Sequence, residues 1–311
     1  MNLPIESPAY FGTADRALFG WFGRGARTDM GIVFCPPLGY EAVCAHRTLR
    51  SAALRATGAG HATLRFDYDG SGDSSGADED PARLGAWLDS IDAAITMLRE
   101  RAGVSGICLW GMRMGATLAA LAAQRRGDVD ALVAVAPVIA GRQYLRQVRA
   151  LALAGGTGTG SGELQEAAGF VTTSTTRAGL EGIDLTTQAP NPARRILLLE
   201  RSDIPAEPRW QQAMLQAEAS LQVQKFADYA GMLADPHLVR VPEDMIDRSL
   251  EWLVASGPAT RPRTGTAAKY FNYAIGWQLL VCARDAAMNI TQLLVLFLLV
   301  AAPLAAALLQ T

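Results

Sequence analysis

The feature that most constrains this chain is an alternation. Short apolar runs recur between stretches that carry the 3.6-residue period of helices. "GIVFCPP" (31–37) is a continuous apolar run closed by prolines, as a strand buried on both faces is. A helical stretch from His46 to about Thr57 leads to the strand "ATLRFDY" (62–68). Residues 80–101 then place apolar side chains at helical spacing, with Asp80 as N-cap and Pro81 at N1. The strand "SGICLW" (105–110), a helix from Met114 to Arg126 and the strand "ALVAVAP" (131–137) continue the rhythm. Ahead of it, "IESPAYF" and "ALFGWFG" flank the turn-like "GTAD" as an antiparallel hairpin. Such a repeat packs as an α/β, mostly parallel, doubly wound sheet with right-handed crossovers. Ligands of such sheets sit beyond the carboxyl ends of the strands.

Residues 138–190 break the alternation. The helical piece "GRQYLRQVRALAL" runs into "AGGTGTGSG", which has almost no side chains to pack, and then into a threonine-rich stretch. Its position predicts a lid insertion over the site. Alternation resumes with the strand "RRILLLE" (194–200), a helix over 208–221 and the strand "LQVQKF" (221–226). A last helix over 242–255 has Glu243 and Asp244 in its first turn.

"WGMRMGAT" (110–117) joins a strand to a helix, and its frame Gly111-x-Arg113-x-Gly115 is one residue from G-x-S-x-G. That motif is the sharp turn presenting the nucleophilic serine of α/β-hydrolases. A guanidinium serves neither as nucleophile nor as base. The glycines still permit the turn, and the backbone N–H of Met114 still opens a helix. Arginine beside a helix N-terminus favours an anion. In chain order the acid candidate is Asp203, just past "ILLLE", and the histidine candidate is His237, in the loop before the last helix.

Together "IVFCPPLGYEAVCAHRTLR", "LRFDYDGSGDSSG" and "GMRMGATLAALAA" resemble the α/β-hydrolases of the serine-aminopeptidase type. Within them the chain is similar to bacterial hydrolases associated with exosortase and exopolysaccharide loci. The resemblance spans about residues 5 to 256 and implies the α/β-hydrolase fold over 1–256. It also implies that "PPLGY" (36–40) replaces the usual His-Gly loop. Past Gly39, the backbone N–H of Tyr40 would then join Met114 in an oxyanion site. Asp203 and His237 match the family's acid and base, and Arg113 departs from its nucleophile. The implied function is hydrolysis or transfer of an acyl ester or thioester. The alternative is a degenerate, pseudoenzyme-like member that binds an anionic or acylated ligand, or a scaffold in a membrane polysaccharide or lipid pathway.

"DYDGSGDSSGAD" (67–78) has the carboxylate spacing of a calcium loop. It lacks the final Glu and the preceding helix, so no metal and no cofactor is expected. A formal net charge of −2 gives no basic field, and nucleic acid is not an expected partner. Of the four cysteines, no pair has zinc or redox spacing, and Cys35 and Cys108 fall in apolar runs, which fits a reducing cytoplasm. After the linker 257–269, the tail 270–311 is apolar, and Leu293 to Leu309 contains no polar side chain. Residues 290–310 thus predict a membrane-anchoring helix. Arg261, Arg263, Lys269 and Arg284 precede it, which would keep the main domain on the cytoplasmic side of the inner membrane.

Overall fold

Each predicted apolar run forms a strand in the computed structural model, which describes residues 6–154, 162–204 and 207–255. The strands are β1 (Glu6–Gly12), β2 (Ala17–Gly23), β3 (Met30–Cys35), β4 (Ala62–Phe66), β5 (Gly106–Met112), β6 (Ala131–Val135), β7 (Leu164–Ala167), β8 (Phe170–Thr173), β9 (Arg195–Arg201) and β10 (Leu221–Phe226). The main sheet has the order β1-β2-β4-β3-β5-β6-β9-β10. The β1–β2 and β2–β4 pairs are antiparallel, and every later pair is parallel. The β7–β8 pair is a separate hairpin inside the insertion.

The helices are α1 (Tyr40–Gly58), α2 (Arg83–Ala102), α3 (Met114–Arg126), α4 (Gly141–Ala154), α5 (Ser174–Glu181), α6 (Leu185–Gln188), α7 (Pro208–Gln216), α8 (Tyr229–Met232) and α9 (Glu243–Ala255). Successive residues of a strand face opposite layers. In β5, Ile107 and Leu109 therefore join Ile91, Ile95 and Leu118 on the α2–α3 side. Cys108, Trp110 and Met112 join Ala45, Leu49 and Ile246 on the α1–α9 side. Burial of each large apolar side chain stabilises by roughly 1.5–3 kcal/mol. The Trp110 indole N–H donates to Ser249 Oγ at 3.2 Å, so its polar atom is satisfied in the core.

Three helix boundaries differ from the sequence reading. α1 starts at Tyr40, six residues before His46, because the chain turns at Gly39 (φ 60°, ψ −140°) directly after the prolines. Asp80 is not the cap of α2; the helix starts at Arg83, and the residue before it is Ala82 in left-handed geometry. The Asp80 carboxylate instead accepts from the Ala77 N–H and Arg83 Nη1. The N–H groups of Ala82 and Arg83 donate to the Thr175 and Thr176 hydroxyls of α5, so the insertion caps α2. α7 ends at Gln216, not 221, where Glu218 (φ 54°) reverses the chain into β10. By contrast, α3 begins and ends as predicted.

A buried histidine makes stability pH-dependent. His61 is buried and its Nδ1 donates to the Met30 carbonyl at 3.0 Å, while Nε2 has no partner among the described residues. Burial holds His61 below the ordinary histidine value. A depressed histidine stays neutral in the native state and takes its proton on unfolding. The unfolded chain therefore binds more protons below about pH 6.5, and stability falls as pH drops through that value. Urea titrations at about pH 7 and about pH 5.5 should show this loss, and His61→Gln should flatten it. An unchanged slope in the variant would remove His61 as the cause.

Candidate functional site

The strand-to-helix turn places Arg113 between β5 and α3 with φ 54° and ψ −125°, a region non-glycine residues rarely occupy. Neighbouring backbone holds it there. The Arg113 N–H donates to the Val135 carbonyl at 2.9 Å, and the Arg113 carbonyl accepts from Ala116 and Thr117 at 3.0 and 3.2 Å. The flanking glycines allow contacts that no side chain permits. A Cβ on Gly111 would lie 2.5 Å from Ala116 Cα. On Gly115 it would lie 2.2 and 2.3 Å from the carbonyl oxygens of Pro36 and Cys35. The glycine frame seen in the sequence forms a tight strand-to-helix turn with Arg113 at positive φ.

Arg113 is engaged within the protein. Its Nε donates to Glu41 Oε1 at 2.9 Å, Nη2 to Gln147 Oε1 at 2.7 Å and Nη1 to the Ala136 carbonyl at 3.4 Å. The arginine side chain is 7% exposed and the Glu41 side chain 25%, so the pair is largely out of solvent. The anion expected beside Arg113 is thus already supplied by Glu41, in the first turn of α1. Glu41 Oε2 is buried and has no hydrogen-bond partner among the described residues.

Asp203 lies just past β9, as predicted. Both its oxygens accept from Arg201, at 2.9 and 2.6 Å, and its side chain is 46% exposed. That guanidinium holds the Asp203 carboxyl below the usual carboxylate range. Arg201 stacks on Tyr229, with Cζ 3.6 Å from the ring centroid, and the Arg113 Cζ lies 5.7 Å from the same ring. Burial raises the Tyr229 hydroxyl above its ordinary value.

His237 is exposed and forms no hydrogen bond among the described residues, so the structure does not join it to Asp203. Its loop is tied down elsewhere. Tyr40 Oη donates to Asp235 at 2.8 Å, which pushes the Tyr40 hydroxyl up to about 12. Arg240 forks onto Asp228 at 2.8 and 2.6 Å. Gly39 and Tyr40 do stand at the start of α1, and Met114 at the start of α3. Their first N–H groups have no intrahelical acceptor. Among the described residues no hydrogen bond links His237 to Asp203 or to Arg113.

The insertion covers this end of the sheet. Beneath it lies a cavity of about 280 Å³, walled by apolar groups including Leu38, Trp87, Tyr144, Val148, Phe170 and Leu180. Glu41 and Gln147 form part of its polar wall. Arg113 lies behind them and lines a smaller cavity of about 90 Å³, which also includes Glu200, Arg201 and Gln147. Hydrogen bonds fasten the insertion at several points. The Val171 N–H donates to Asp78 at 2.9 Å, and the Thr117 hydroxyl donates to the Val138 carbonyl at 2.8 Å.

The glycine-rich turn 67–78 is committed to this scaffold. Asp69 accepts from Arg16 Nε at 2.7 Å and pairs with Arg83 at 2.6 Å, and Asp67 accepts from the Asp73 N–H at 3.1 Å. Sequence reasoning missed Glu41, Gln147, Arg201 and Tyr229. Only Glu41 had a usable signal, as an acid in the first turn of a helix that starts at the proline–glycine corner.

Among the described residues no helix is long and apolar enough to cross a membrane. The predicted anchor 290–310 and the linker 257–269 lie outside the described residues.

Residues 46–169 match a family model described as serine aminopeptidase, S33. No curated protein matches the chain in sequence. Among solved structures, the chain is similar to Est1E from Butyrivibrio proteoclasticus with bound ferulic acid. Identity is 17% over 79% of this chain and 98% of that one, with a TM-score of 0.57. It is also similar to the alpha/beta hydrolase GrgF from Penicillium sp. sh18 (17% identity, 81% and 98% covered, TM-score 0.56). Proline iminopeptidase from Mycobacterium smegmatis is similar as well (15% identity, 80% and 98% covered, TM-score 0.56). The sheet order and these likenesses agree: the chain has the α/β-hydrolase fold.

Proposed function

We propose that this protein binds an acyl-bearing small molecule in the lid-covered cavity and does not carry it through an acyl-enzyme on the elbow. One observation carries the reading: Arg113 stands at the nucleophile position and its guanidinium is consumed by Glu41, Gln147 and the Ala136 carbonyl. The apolar wall suits a hydrocarbon chain. The unpartnered Glu41 Oε2 and the first N–H groups of α1 and α3 suit a polar end that both donates and accepts.

A second reading keeps hydrolysis or acyl transfer, with Asp203 and His237 activating water or an acceptor hydroxyl. It is favoured by the retained elbow geometry, which costs on the order of 1–3 kcal/mol of backbone strain to maintain.

The two readings separate in one experiment. Decanol binding is measured by calorimetry, and p-nitrophenyl decanoate turnover is followed in wild type, Arg113→Ser, His237→Ala and Val148→Trp. Decanol is expected to bind wild type, and Val148→Trp, which fills the cavity, should weaken it by about tenfold or more. Arg113→Ser should gain no His237-dependent turnover, because His237 is exposed and unattached to Asp203. Wild-type turnover lost in His237→Ala would overturn the binding reading in favour of catalysis.

A further inference from the structure

A cluster of arginines lies on the exposed face of α4. In α4, Tyr144, Leu145 and Val148 turn toward the covered cavity. Arg142, Arg146 and Arg149, at i, i+4 and i+7, form one exposed stripe on the other side. These three, with Arg177 of α5 and Gln165 of β7, line a second depression of about 300 Å³. Four arginines face one carboxylate there, Glu181. Glu181 reaches only Arg142, at 3.5 Å, and both are well exposed, so it neutralises little of the patch. Arg177 is anchored, its Nη1 and Nη2 donating to the Thr172 and Gly162 carbonyls at 2.8 Å each. Arg146 and Arg149 have no ion pair or hydrogen bond among the described residues.

The depression and the acyl cavity share one lining residue, Leu145. The two sites therefore adjoin at this one side chain. Forked guanidiniums recognise phosphate by parallel charge-assisted hydrogen bonds, and clustered cations without counter-charges favour a multiply charged anion. We propose that the ligand is an amphiphile with a phosphate-bearing head, held by Arg142, Arg146, Arg149 and Arg177, and an acyl or alkyl tail in the lid-covered cavity. This rests on the proposed binding function and adds its specificity. A phosphoester lipid and a soluble acyl carrier with a phosphorylated head share this chemistry.

The test compares decyl phosphate, kept below its micellar range, with decanol in wild type and in the double variant Arg146→Gln/Arg149→Gln. Both positions are exposed and unpartnered, so the fold should survive, and unchanged decanol affinity confirms it. Wild type should prefer decyl phosphate by about tenfold or more, the preference should shrink as salt rises, and the double variant should lose it. Arg146→Glu should invert it. Equal affinity for the two probes, or a preference that survives the double variant, overturns the head-group site and leaves the cavity reading standing. Binding of decanol without decyl phosphate also overturns the head-group site alone, and failure of both probes to bind removes both readings. Cosedimentation with phosphatidylglycerol vesicles that requires Arg146 and Arg149 assigns the head to a bilayer lipid. Binding of monomeric decyl phosphate alone assigns it to a soluble carrier.

Discussion

Gly115→Ala is expected to lower the unfolding free energy by about 3 kcal/mol or more, beyond the ordinary range for inserting one methyl group into a packed site. The new Cβ would stand 2.2 and 2.3 Å from the carbonyl oxygens of Pro36 and Cys35. These are backbone atoms and cannot rotate aside. Relief requires α3 to withdraw from the end of β3, which opens the elbow and moves the N–H of Met114. The same substitution at Gly85 is the control. Gly85 lies within α2, and a Cβ there meets nothing within 4 Å. Alanine at 85 should stabilise by roughly 0.5–1 kcal/mol through helix propensity alone. Urea unfolding of both variants reads the contrast directly. A loss below about 1 kcal/mol for Gly115→Ala would show that the strand–helix junction yields easily.

Asp69→Ala should cost a comparable amount, about 3–5 kcal/mol, for an electrostatic reason. The Arg83 side chain is 2% exposed, and Asp69 is its close partner at 2.6 Å. Its other carboxylate, Asp80, lies at 3.1 Å and is partly solvated, which places the expected loss toward the lower end of the range. Removing Asp69 leaves a buried guanidinium short of charge compensation. It also leaves Arg16, which ties Asp69 to the β1–β2 hairpin, with Asp80 at 3.4 Å as its remaining carboxylate partner. The double variant Asp69→Ala/Arg83→Met should recover part of the loss, because the stranded charge is gone. If the double variant is as unstable as the sum of the singles, the pair is not coupled and the argument fails. Arg83 also lines the covered cavity, so the loss should weaken decanol binding as well.

Much of this fold was legible because its signals are local. Strand burial shows as continuous apolar runs in β3, β5, β6 and β9. The helix from Met114 to Arg126 needed only its alanine-rich pattern and Gly127 at its end. The errors have local causes too. Asp80 was a sound N-cap by spacing, but Arg83, Arg16 and the Ala77 N–H compete for its carboxylate, and threonines of α5 cap α2 in its place. The helical period shows α1 only from His46, because the corner at Gly39 carries no apolar periodicity, and Glu41 lies ahead of that point.

The sequence by itself determined the sheet and the tight turn that holds Arg113, since each follows from the period of apolar residues or from glycines within a few positions of one another. Only the tertiary structure decided what Arg113 does. Its partners Glu41 and Gln147 lie 72 and 34 residues away, on α1 and on α4. No local pattern shows whether a guanidinium will meet a carboxylate from its own chain or wait for one from a ligand. That depends on which side chains the crossovers bring together once the sheet has closed, and here they bring Glu41.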